Sequence, residues 1–157
     1  MTDHNHDYAY LIVVDNTNEF KVALDYTARL AHARGMKLFI LKAMDQEQFH
    51  HWSNIEAEVT RELRIKAEEE VWDVAKHVQE LTGDTPALFI KDMPAQDAIL
   101  EALAEAPEVK FLILGANAES GGPGPLVSYF SGKGLSQLTV PLVVVPGNLA
   151  PGDILPI

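Results

Sequence analysis

Short unbroken apolar runs along this chain alternate with longer stretches in which apolar residues return every three or four positions. Five runs stand out: "AYLIVV" (9–14), "KLFILKAM" (37–44), "ALFI" (87–90), "KFLIL" (110–114) and "VPLVVVP" (140–146). Runs of this length with little polar alternation predict strands covered on both faces, as in a parallel sheet.

Four helices are predicted between them. In the first, Thr17 or Asn18 caps the start and Glu19 suits the positive end of the helix. Phe20, Ala23, Leu24, Thr27 and Ala31 then recur at helical spacing, and Gly35 ends it. Ser53 and Glu56 form a capping box for a long second helix. Ile55, Val59, Leu63, Ala67, Val71, Val74 and Val78 line one side of it, its glutamates face water, and Gly83 stops it. Pro94 suits the first turn of a third helix, which carries Ile99, Leu100 and Leu103 and ends before Pro107. A modest fourth helix runs from about 125 to 137, weakened by Gly132 and Gly134.

The order β-α-β-α-β-α-β-α-β predicts an α/β fold, a doubly wound parallel five-stranded sheet with helices on both faces. The domain spans 9–147, between a polar tail at 1–8 and a Pro- and Gly-rich tail at 148–157. In such sheets ligands bind at the carboxyl ends of the strands, where the winding direction reverses.

The 157 residues fit one domain. A formal net charge of −11 argues against nucleic-acid or anionic-membrane surfaces, which call for a basic face. The absence of cysteine excludes disulfides and thiolate chemistry. The acidic, polar opening "MTDHNHDYAY" lacks the pattern of a signal peptide, and no apolar stretch is long enough for a membrane span. The expectation is a cytoplasmic protein.

Two strand ends carry candidate chemistry. The first run leads into Asp15, and the fourth stops at Gly115 and opens into "ANAESGGPGP". A carboxylate can hold ribose hydroxyls, and a glycine loop before a helix can turn backbone N–H groups toward phosphate. The plainer alternative is that Asp15 begins a capping turn and the glycines only turn the chain; composition alone favours it. The first strand-to-helix turn holds no glycine, which argues against a dinucleotide fingerprint.

"YLIVVDNTNEFKVALDYTARLAHARGMKLFILKAM", "KDMPAQDAILEAL" and "FLILGANAES…VPLVVVP" together resemble the universal stress protein family, in this order and spacing, from Tyr10 to Pro146. The resemblance implies an adenine-nucleotide-hydrolase-like fold with strand order 3-2-1-4-5 and a homodimer paired through the last strand, Pro141–Val145. It also implies that Asp15 contacts a nucleotide and that the backbone at Ala43 meets adenine. ATP-binding members carry a glycine, two residues, a second glycine, nine residues, a third glycine and then serine or threonine. In ungapped register Gly115 keeps the first place, but Ala118, Ser128 and Tyr129 fill the other three. The Tyr129 ring is the change hardest to reconcile with a triphosphate. Gly121, Gly122 and Gly124 could form a shifted anion nest, although a rigid turn is the simpler reading of "GGPGP".

Other candidates are weaker. Adjacent His50 and His51 point about 100° apart on a helix and make poor joint ligands. His32 and His77 read as structural. A trimmed Thr2-Asp3-His4 terminus could hold copper or nickel, yet incidental tail histidines are the plainer account. Ser128 and Ser131 lack a recognisable His–Asp pattern, and Trp52 and Trp72 read as packing residues. The expected function is thus a dimeric stress-response regulator with a degenerate ATP motif, not an enzyme. The alternatives are a switch that binds ATP or AMP through the shifted loop and, behind it, a slow ATPase.

Overall fold

A computed structural model describes residues 7–15, 17–44 and 56–150. Its five strands are β1 (Ala9–Val13), β2 (Lys37–Ala43), β3 (Ala87–Lys91), β4 (Val109–Ala116) and β5 (Leu142–Pro146). All pairings are parallel, in the order β3-β2-β1-β4-β5. Four α-helices connect them: α1 (Asn18–Arg34), α2 (Glu56–Thr82), α3 (Ala95–Glu105) and α4 (Pro125–Phe130). The fold class and strand order are those expected.

Every residue of β1 is buried, because the strand is central and covered on both faces. Ala9, Leu11 and Val13 face one half of the core with α3 and α4. Tyr10, Ile12 and Val14 face the other half with α1 and α2. The period-2 alternation of a strand thus sorts one apolar run into two cores. Thr27, fully buried on α1, donates its hydroxyl to the Ala23 carbonyl at 2.7 Å, so no polar atom there is stranded.

Several boundaries depart from the sequence reading. β4 does not stop at Leu114; it continues through Gly115 and Ala116, which pair with Val145 and Pro146 of β5. Pro94 stands one position earlier than expected, at the N-cap of α3. The fourth helix is cut short at Phe130. A turn through Gly132 and Gly134 follows, then a single 3-10 turn at Leu135–Gln137. Trp72 is 67% exposed and packs in neither core, since it follows buried Val71 around the outer face of α2. At the domain ends, the Tyr8 carbonyl accepts from the Lys37 N–H at 2.8 Å, and Leu149 packs against the α1–α2 core. The Ser53 cap, Ile55, His50, His51, Trp52 and the Thr2-Asp3-His4 terminus lie outside the described residues. Among the described residues no helix is long and apolar enough to cross a membrane.

β3 is an edge strand held to α3 by charge. The Lys91 ammonium donates to Glu101 Oε1 and Glu105 Oε2, each at 2.7 Å. The hydrogen bond to Glu101, then that to Glu105, raises the lysine's pKa, and the bond from Lys91 holds the Glu105 carboxyl below its ordinary value. The lysine's contribution is full below the ordinary lysine pKa and is lost as pH climbs through the raised one. That of Glu105 is present above the ordinary glutamate value and is lost as pH falls through the lowered one. Water screens both carboxylates, so the effect is modest. Lys91→Met should lower the melting temperature by about 2 °C near neutral pH. In thermal denaturation the gap between variant and wild type should narrow as pH falls below the ordinary glutamate range.

Candidate functional site

The winding direction reverses between β1 and β4, where α1 leaves on one side and α3 arrives from the other. The carboxyl ends of these strands open on a cavity of about 550 Å³. The first turns of α1, α3 and α4 ring it. Its walls are largely apolar, with Val13 and Leu114 at the strand ends and Pro94, Pro123, Pro125 and Val127 around them.

Asp15, Gly115 and Gly124 meet at this cavity. Asp15 lies two residues beyond the end of β1. Its Oδ1 accepts the Thr17 N–H at 2.9 Å and also the Thr17 hydroxyl. Thr17 in turn caps α1, accepting the Phe20 N–H at 3.2 Å. Two donors at the amino end of α1 are therefore already engaged within the chain.

Gly115 has a packing reason to be glycine. A Cβ there would come 2.5 Å from the Glu19 carbonyl oxygen and 2.8 Å from its carbon. The first turn of α1 thus rests directly on the end of β4. Positive φ is needed elsewhere in the loop: Gly121 (117°), Gly122 (94°) and Gly124 (110°) take it, and a Cβ on any of them would meet open space. Ala118 is exposed and has no positive φ, so its replacement of glycine strains nothing in this loop. The loop closes on itself through Asn117 N–H to the Pro123 carbonyl at 3.1 Å.

Ala118, Gly121, Gly122, Ser128, Tyr129 and Ala43 do not line the cavity. The Tyr129 ring turns away from it. A Cβ on Gly134 would lie 2.3 Å from that ring, whose hydroxyl bonds Gln137 Oε1 at 3.2 Å. The ring also packs edge-on to Phe130. The expectation that its bulk fills a triphosphate site is therefore corrected: Gly134, four residues after the end of α4, makes room for the ring outside the crevice. Ala43 lines a separate hollow of about 200 Å³ beside Lys42 and Glu70.

Sequence reasoning passed over Glu19 and Gln96, which do line the cavity. Glu19 read only as a helix-end carboxylate, and its position over Gly115 becomes visible once α1 is docked. Among the described lining residues there is no lysine, arginine or histidine. His32 and His77 bond Asp84 and Asp25 at 3.0 and 2.7 Å, tying α1 to α2 and to the turn after it. Among the described residues no group of three or more His, Asp and Glu is placed to hold a metal ion.

An open parallel sheet of this order with a crevice at its reversal point defines an adenine-nucleotide-hydrolase-like α/β domain. The model of the universal stress protein family matches residues 10–146, and the chain belongs to that family. Solved structures agree on the fold. The universal stress protein UspA from Lactobacillus plantarum is similar with a TM-score of 0.70 at 15% identity, over 88% of this chain and 97% of that one. A family protein from Burkholderia pseudomallei gives 0.68 at 13%, over 90% and 97%. The universal stress protein from Archaeoglobus fulgidus in complex with dAMP gives 0.58 at 12%, over 88% and 97%. No curated protein matches.

The close contact at Gly115 yields a direct test. Gly115→Ala should destabilise the fold by about 1–3 kcal/mol in urea unfolding, because backbone rather than a pliable side chain receives the new methyl. Serine at exposed, strain-free Ala118 should change stability by less than about 0.5 kcal/mol.

Proposed function

We propose that this protein is a dimeric, regulatory member of the universal stress protein family, acting without catalysis, whose crevice does not hold ATP tightly. The observation that carries this reading is the lack of positive side-chain charge where a triphosphate would lie. Pro123 and Pro125 have no N–H, the Asn117 N–H is bonded to Pro123, and the Thr17 N–H is bonded to Asp15. The described lining offers no cation, and it carries the carboxylates of Asp15 and Glu19. Phosphates bind most tightly where N–H groups and cationic side chains converge; the helix ends here supply the first, and the described lining supplies none of the second.

A second reading, an adenine-nucleotide switch, draws on two observations. Asp15, Gly115 and Gly124 share one cavity, and a protein of this fold from Archaeoglobus fulgidus is in complex with dAMP. A slow ATPase is the weakest alternative, since Asp15 Oδ1 already serves Thr17 and no described lining residue is a cation that could steady a transferring phosphate.

Dimer formation rests on β5, the second sheet edge. Val144 there is 40% exposed, and Leu142 and Val143 are half-buried. Pairing Pro141–Val145 with a second copy would cover that edge, which is otherwise an aggregation risk.

Calorimetry with ATP and ADP should show no dissociation constant below about 100 μM, equivalent to about −5.5 kcal/mol. A low-micromolar constant for ATP would end the reading. Light scattering should give a dimer mass for the wild type and a monomer mass for Val144→Lys. A wild-type monomer would remove the dimer from the account.

A further inference from the structure

Helix ends that face a crevice ordinarily draw anions into it, because their unpaired N–H groups carry partial positive charge. Two of the helix ends at this crevice bring a carboxylate of their own. Glu19 stands in the first turn of α1 and Asp97 in the first turn of α3. Glu19 also lines the cavity itself. It cannot easily swing its backbone away: Gly115 lies beneath its carbonyl, and a Cβ on Gly147 would come 2.8 Å from the Glu19 Cβ. The Gly147 N–H in turn bonds the Ala116 carbonyl at 2.8 Å, which fixes that glycine to the end of β4. The backbone and Cβ that carry this carboxylate are therefore held between two strand ends, beside the cavity that Glu19 lines.

We infer that Glu19 is a specificity residue that makes the crevice select an uncharged nucleoside over the corresponding nucleotide. This rests on the crevice being the ligand site and adds which ligands it refuses, and why. The cavity of about 550 Å³ is large enough for a nucleoside. Its apolar walls suit the face of a base. Asp15 can accept from sugar hydroxyls through Oδ2, which makes no hydrogen bond among the described residues. A phosphate added to the same ligand would bring negative charge near Glu19 and Asp15 with no described lysine or arginine in the lining to answer it.

The test is a calorimetric titration of the full chain with adenosine and with AMP, in the wild type, Glu19→Gln and Glu62→Gln. Glu62 is exposed on α2 and serves as a control for overall charge. The wild type should bind adenosine roughly fivefold or more tightly than AMP, and Glu19→Gln should narrow that ratio by roughly threefold while Glu62→Gln leaves it unchanged. Should Glu19→Gln fail to fold, the wild type alone still tests the claim, because raising salt should improve AMP binding relative to adenosine as the repulsion is screened. The inference is overturned if the wild type prefers AMP, if it binds no adenosine, if Glu19→Gln leaves the ratio unchanged, or if Glu62→Gln shifts it equally. These results bear on ligand selection alone; tight ATP binding is the separate result that would end the regulatory reading.

Discussion

The crevice depends on one close approach, the first turn of α1 seated against the ends of β4 and β5. Gly115 and Gly147 leave no side chain between the strands and the Glu19 backbone. Because interiors pack tightly, a methyl group at Gly115 must displace main chain, and one at Gly147 must displace the Glu19 Cβ, which moves only with its backbone. This contact sets how far α1 leans over the sheet, and so where Asp15, Thr17 and Glu19 stand relative to β4. A glycine at the end of the fourth strand is thereby explained without any ligand.

The remaining features of the site follow from that placement. With α1 fixed, Asp15 closes a turn onto Thr17, and Thr17 caps the helix. Two N–H groups at the amino end of α1, those of Thr17 and Phe20, are bonded within the chain, and the first turn carries the Glu19 carboxylate. On the far side, the glycines of the β4–α4 loop supply positive φ for a self-closing turn, and Pro123 and Pro125 beside them have no N–H to offer. A loop that resembles a phosphate cradle in composition thus closes on itself through the Asn117 N–H and the Pro123 carbonyl. In the function proposed above, the carboxylates of Asp15 and Glu19, with no described cation in the lining, weigh against phosphate more than the bulk of Tyr129 does.

Much of the fold was legible because β1 and its neighbours are covered on both faces, which leaves unbroken apolar runs in the sequence. Strand order was legible only through family resemblance, since apolar runs do not say which strand lies beside which. What was misread depended on tertiary contacts. β4 continues through Gly115 because β5 offers it partners, and periodicity cannot report that. Tyr129 looked obstructive in linear register, but a turn built around Gly134 takes its ring away from the cavity. Ala43 sits by a different hollow. Asp15 was visible as a strand-end carboxylate, whereas Glu19 was masked by its ordinary role at a helix start.

The account turns on whether this crevice admits a nucleoside while rejecting a polyphosphate. Backbone amide chemical shifts recorded during parallel NMR titrations with adenosine and with ATP test this most directly. Adenosine should move the amides of Asp15, Thr17, Gly115 and Gly124 in a saturable way, and ATP at equal concentration should move them far less. Saturable ATP shifts at Gly121, Gly122 and Gly124 at micromolar concentration would contradict the account, since they would show the loop gripping phosphate after all.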